Sequence, residues 1–204
     1  MSILSSHRIK GLVDLEPTFQ QIIEQYGLPD NWSRPEGFPT LSKIILEQQV
    51  SLSSAKATYQ KLEERLGDIT PQNILTLDQE AMRSCYVSRQ KAKYLHELSK
   101  AVINKTLDLH NLKKNADTEI EKSLIAIKGI GPWTAQCYMI FALQRPDIYP
   151  RGDVALNNAV RKLWPVQSLP EIYSLSEKWA PYRTTASFLL WHFYLCERGR
   201  KWEE

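Results

Sequence analysis

The chain has 204 residues, enough for one or two domains with a substantial core. Its 43% hydrophobic and 24% charged content excludes a disordered or fibrous chain. A net charge of +3 admits a nucleic-acid partner without requiring one. No stretch approaches the roughly 18 apolar residues of a membrane span, and the first twenty residues lack the apolar core of a signal peptide. A soluble, intracellular protein with no membrane partner is therefore expected. Cys85, Cys137 and Cys196 are odd in number, widely spaced and free of any Cys-x-x-Cys pair, which argues against a zinc site or a disulfide framework.

In chain order the pattern is helical almost throughout. Phe19, Ile22, Ile23 and Tyr26 recur at helical spacing over 16–26, and Gly27 fits the stop. Pro29, Pro35, Gly37 and Pro39 mark a loop, after which Thr40 is the expected cap of a helix running to about residue 50. Ser51 or Ser53 opens the next helix, which Gly67 ends. Thr70 followed by Pro71 starts a short helix, Asp78 caps another, and 88–102 has an inward face of Ala92, Leu95, Leu98 and Val102. Residues 105–115 read as a connection with a short helix. Helices follow at 117–127, 132–143, 154–163, 174–179 and 184–197, and no segment alternates like a strand. The expected fold class is all-α, about ten helices in two lobes flanking a cleft. One lobe covers about 40–115; the other joins the N-terminal segment to about 116–204.

The most informative segment runs from Lys128 through Gly129, Ile130, Gly131, Pro132 and Trp133 to Thr134. Two glycines two apart, between apolar helices, predict a hairpin whose backbone closely approaches something, with a side chain at either glycine blocking the approach or strained. Ile130 packs inward, and Pro132 pre-sets the first turn of the following helix. The helix start then offers bare amides to an anion. Asp153 lies 22 residues beyond Gly131, at or beside the next helix's N-cap. Taken alone it reads more readily as a helix N-cap or a solvated turn carboxylate.

With the 149–156, 179–183, 46–51 and 88–95 segments, this stretch resembles the helix-hairpin-helix DNA glycosylase superfamily, in its 3-methyladenine DNA glycosylase II branch. The resemblance covers about 40–195. It implies removal of alkylated bases, such as 3-methyladenine or 7-methylguanine, from double-stranded DNA in base excision repair. Asp153 matches the essential aspartate, which stabilises an oxocarbenium-like sugar and aligns water. Trp133 and Trp191 match tryptophans of the base pocket, and Tyr138 joins them. DNA contacts fall to Gly129, Gly131, Lys128 and Thr134 at the hairpin, and to Gln48, Gln49, Val50 and Ser51 in a duplex-filling loop. Ser88 and Lys91 complete that set.

Bifunctional members carry lysine where Trp133 stands, so the resemblance implies hydrolysis without strand cleavage. No organic or redox cofactor is expected, and the hairpin carbonyls of Lys128 and Ile130 are candidates for a monovalent cation. The protein is expected to act as a monomer, in the cytoplasm near the nucleoid or, in a eukaryote, in the nucleus. Two rivals stand beside this reading: excision of uncharged damaged bases, and a non-catalytic DNA-damage-binding module of the same fold.

Overall fold

The computed structural model describes residues 2–202, which form twelve α-helices, one 3-10 turn and no strand. The expected all-α class is what the chain adopts. Contacts divide it into two compact units: residues up to Ser33 with Gln144–Trp202, and Arg34–Leu143.

The second unit holds α3 (Phe38–Glu47), α4 (Leu52–Leu66), α5 (Pro71–Leu75), α6 (Gln79–Ser84), α7 (Arg89–Ile103), α8 (Asp117–Ile125) and α9 (Pro132–Phe141). Polar side chains open most of these as expected: Ser51, Thr70, Asp78 and Ser88 each accept the N–H three residues on. Thr40 does not. Helix α3 begins at Phe38 with Gly37 as its N-cap, and the Thr40 hydroxyl instead donates to the Pro35 carbonyl at 2.6 Å. At the other end of α3, Arg34 and Glu47 form a buried bidentate pair, 3.0 and 2.8 Å, with the guanidinium over the Phe141 ring. Every residue from Thr134 to Phe141 of α9 is buried. Because α9 packs on α3 and α8 on α9, both helices belong with residues 34–125, so the chain does not divide near residue 115.

The first unit holds α1 (Ser6–Leu15), α2 (Thr18–Tyr26), α10 (Val154–Leu163), α11 (Leu169–Glu177) and α12 (Arg183–Cys196). Helix α12 is its axis; α1, α2 and α10 pack on it, and Phe19, Trp164 and Trp179 meet at 5.2–5.6 Å between ring centroids. Helix α1 has no counterpart in the sequence reading. Its Gly11 lowers helix propensity, yet a Cβ there would lie 2.4 Å from the Tyr182 ring, so close packing supplies what propensity lacks. Helix α11 starts five residues before the expected 174: Ser168 and Glu171 form a capping box, and Pro170 sits in the first turn, where it costs little.

Candidate nucleic-acid interface and active-site residues

The chain leaves α8 through a turn in which Ile127 donates to the Leu124 carbonyl and Ile130 to the Ile127 carbonyl, each at 3.0 Å. Gly129 has φ +97, and a Cβ on it would sit 2.1–2.6 Å from Tyr94 of α7. The expected close approach is real, and its partner is this ring. Gly131 differs: its φ is −92 and a Cβ added to it would meet no heavy atom within 4 Å, so the expectation of strain or crowding at both glycines holds only for the first. Ile130 is buried as expected, whereas Lys128, Gly131 and Pro132 are exposed.

Gly131 is the N-cap of α9, and no side chain caps that helix. Among the described residues, the N–H groups of Gly129 and Gly131 donate to no carbonyl. Two unengaged amides, that of exposed Gly131 and that of half-buried Gly129, thus stand near the positive end of a helix dipole, which suits an anion.

Gln48 is tied into this hairpin rather than turned outward. Its Nε2 donates to the Gly129 carbonyl and to Thr134 Oγ1, both at 2.9 Å. The Thr134 side chain is buried and so is not a surface contact. Gln49 (φ +56) and Val50 are exposed at the tip of the α3–α4 turn, and Ser51 spends its hydroxyl on capping α4. Ser88 likewise caps α7. Lys91 Nζ donates to the Leu46 carbonyl at 2.6 Å, and burial holds its pKa below the usual lysine value against the opposing pull of Glu47. Of the basic cluster, Arg89 and Lys93 remain exposed.

Tyr138 requires a correction. Its ring is fully buried, and its hydroxyl accepts the Gly37 N–H at 2.8 Å. Burial pushes its pKa up to about 12, so it stays a neutral phenol. It is a core residue that anchors the start of α3, not a pocket wall. Tyr138→Phe is expected to lower stability by about 1–3 kcal/mol, because the Gly37 N–H loses its acceptor. Thermal melting checks this, with base preference unchanged. Trp133, one position inside α9, is half-buried.

In the other unit Asp153 is the N-cap of α10. It is 8% exposed, and its Oδ1 accepts the Leu156 N–H at 2.9 Å. Capping and chemistry are compatible: the bond fixes the carboxylate's direction, and the helix N-terminus favours its charge. Tyr149 nearby is held well above the usual phenol range, chiefly by burial and then by the Asp153 charge. Trp191 of α12 is buried within this unit, 6.2 Å from Phe188 and 6.4 Å from Trp202. Trp32 stacks nearly parallel on both of those rings, at 5.2 and 4.5 Å.

Three aromatic features escaped the sequence reading. Tyr94 under Gly129 and Trp32 beside Phe188 depend on contacts across 35 and 156 residues of chain. Tyr86 is 68% exposed with φ +64, just before the basic start of α7; a lone tyrosine between Cys85 and Val87 carried no periodic signal. Among the described residues no group of three or more His, Cys, Asp or Glu could hold a metal, and no helix is long and apolar enough to cross a membrane.

Residues 42–181 match the model of the HhH-GPD superfamily of base excision DNA repair proteins. The chain is 33% identical to the putative DNA-3-methyladenine glycosylase YfjP of Bacillus subtilis over 162 residues, 74% of this chain and 56% of that one. It thus spans little more than half the length of that relative. A DNA-3-methyladenine glycosidase structure from Bacillus halodurans is similar at 31% identity and TM-score 0.79, covering 98% of this chain and 94% of that one. The 3-methyladenine DNA glycosylase Mag1 of Schizosaccharomyces pombe, solved with abasic DNA, gives 26% identity and TM-score 0.83, with 91% and 95% covered. With a family match across most of its length and a hairpin of this geometry, the chain belongs to the HhH-GPD superfamily of base excision DNA repair proteins.

Proposed function

We propose that the protein is a monofunctional DNA glycosylase that hydrolyses the N-glycosidic bond of alkylated bases in double-stranded DNA, leaving an abasic site. The observation that carries this is the hairpin: unengaged amides at Gly129 and Gly131, exposure and open space at Gly131, and an α9 N-terminus with no side-chain cap. Such a site takes a backbone phosphate and positions the duplex without reading sequence. The names of the relatives add the alkylated base, and the abasic DNA bound by Mag1 supports an abasic product.

In this mechanism Gly129 and Gly131 hold the phosphate, with Lys128 adding charge at the same edge. Gln49 and Val50 fill the gap an extruded nucleotide leaves. Trp133 stacks on the base, and a ring-alkylated, cationic base gains cation–π attraction there; Trp191 lies buried in the aromatic cluster of its own unit. Such a base is already a good leaving group. The developing positive charge on the sugar is offset by Asp153, whose ionised oxygens also orient the attacking water and accept its proton. No amine stands at Trp133 to form a Schiff base, which supports hydrolysis alone.

A monovalent cation would be held by the hairpin carbonyls of Lys128 and Ile130, the Gly129 carbonyl being engaged by Gln48. These neutral oxygens suit a hard, singly charged ion, which would add positive charge beside the phosphate. The protein would act as a monomer wherever the cell keeps its DNA.

Release of methylated purines from duplex DNA tests the activity; intact binding with no release from any alkylated substrate would favour a damage-binding module. Borohydride added during turnover is expected to trap no covalent protein–DNA adduct, and electrophoresis under denaturing conditions checks this. An adduct would restore the lyase reading.

A further inference from the structure

Gln48 ends α3 as its C-cap residue (φ −59, ψ 125), and Gln49 follows in the left-handed region at φ +56. A primary amide has two N–H donors, and Gln48 uses both at once: one on the Gly129 carbonyl, one on Thr134 Oγ1. One side chain therefore bridges the hairpin from its positive-φ glycine to the first turn of α9. Turning the carboxamide toward DNA would orphan the Gly129 carbonyl and the buried Thr134 hydroxyl together.

The Gly129 carbonyl and the Ile130 N–H share one peptide plane. Gln48 holds the first and the Ile127 carbonyl holds the second, so the plane is pinned at both ends. The next plane carries the exposed Gly131 N–H, whose direction follows from the pinned one. Without such a brace Gly129 has wide rotational freedom, since it lacks a Cβ. Helix α7 completes the frame: Tyr94 lies against Gly129, and Lys91 donates to the Leu46 carbonyl two residues before Gln48.

We propose that Gln48 is a positioning residue that aims the hairpin amides and ties them to the Gln49–Val50 turn, so that gap filling and phosphate grip respond to one another. It acts through Gly129 rather than by touching DNA. The proposal rests on the hairpin being the phosphate site.

The test uses Gln48→Met, similar in size but without donors, and Thr134→Val, which removes one of the two acceptors and serves if the first variant folds poorly. Amide hydrogen exchange at Ile130, the hydrogen-bonded amide of the pinned plane, is followed in the free protein, alongside binding to undamaged duplex at several salt concentrations. Gln48→Met is expected to speed exchange at Ile130, whose N–H is bonded to the Ile127 carbonyl, about tenfold, a typical consequence of one lost buried hydrogen-bonded brace. Duplex affinity should fall by a similar factor, and the salt dependence should lose about one phosphate's worth of slope. KM for methylated duplex should rise more than kcat falls. Thr134→Val should move each readout the same way by less.

Unchanged hairpin exchange in both variants, with base release nevertheless lost, would overturn the proposal and make Gln48 a direct DNA contact. Absence of base release by the wild-type protein would instead strike the glycosylase reading, leaving the exchange and salt results to judge Gln48 separately.

Discussion

Asp153→Asn is expected to abolish base release while leaving the protein folded. Asparagine caps helices about as well as aspartate, so the bond from Leu156 to Oδ1 survives and melting should shift by no more than about 2 °C. The charge does not survive. A neutral amide neither offsets an oxocarbenium-like sugar nor takes a proton from water, and a rate loss on the order of 10²–10³-fold or more follows. Asp153→Ala separates the two duties, because it should match the Asn variant in rate yet lose about 1 kcal/mol more stability through the missing cap. Single-turnover release from methylated duplex and thermal melting read the pair. Equal rates for wild-type and Asp153→Asn would reduce Asp153 to a helix cap.

The two glycines should part company under mutation. Gly129→Ala places a methyl 2.1 Å from the Tyr94 ring on a residue already at φ +97. Left-handed strain and overpacking together cost about 3 kcal/mol or more, a fall in melting temperature of roughly 6–12 °C. Pairing it with Tyr94→Ala should relieve the clash but not the strain. Gly131→Ser is the opposite case. The residue is extended, has open space, and is the N-cap of α9, a position serine favours. Stability should hold or rise slightly. Duplex binding should nonetheless drop about tenfold or more, because the new side chain occupies the phosphate's approach at Gly131 while its hydroxyl caps only the amides two or three residues on. Melting curves and salt-dependent binding distinguish these outcomes; a Gly131→Ser variant that binds DNA normally would remove phosphate from this spot.

Much of the hairpin was legible because its signals are local. The glycine pair, Pro132 after it and the capping oxygens at Ser51, Thr70, Asp78, Ser88 and Asp153 all act within a few residues of themselves. What escaped depends on contacts distant in sequence. Nothing in Gly-Ile-Gly says which glycine is crowded; that is settled by Tyr94, 35 residues earlier. Helix α9 is buried on every side from Thr134 onward, so periodicity could not assign Tyr138 to a pocket or to the core. Gln48 and Lys91 read from the sequence as DNA contacts, and only the fold reveals the carbonyls they serve.

The ion pair and stacking at Arg34 also bear on how the chain assembles. Residues 34–143 are contiguous, whereas the unit carrying Asp153 and Trp191 is made from segments on either side of those 110 residues. Closing a loop of that length in a random chain costs roughly 4 kcal/mol plus a constant. The contiguous unit meets that cost by its own folding, for the Arg34 N–H donates to the Phe141 carbonyl at 2.8 Å and so brings its two ends together. Once it has formed, contacts such as Thr185 to the Ile3 carbonyl, 182 residues apart in sequence, close a loop shortened by the whole of that folded span. The contiguous unit, with Arg34 as its clasp, thus brings together the chain ends from which the two aspartate-bearing segments run.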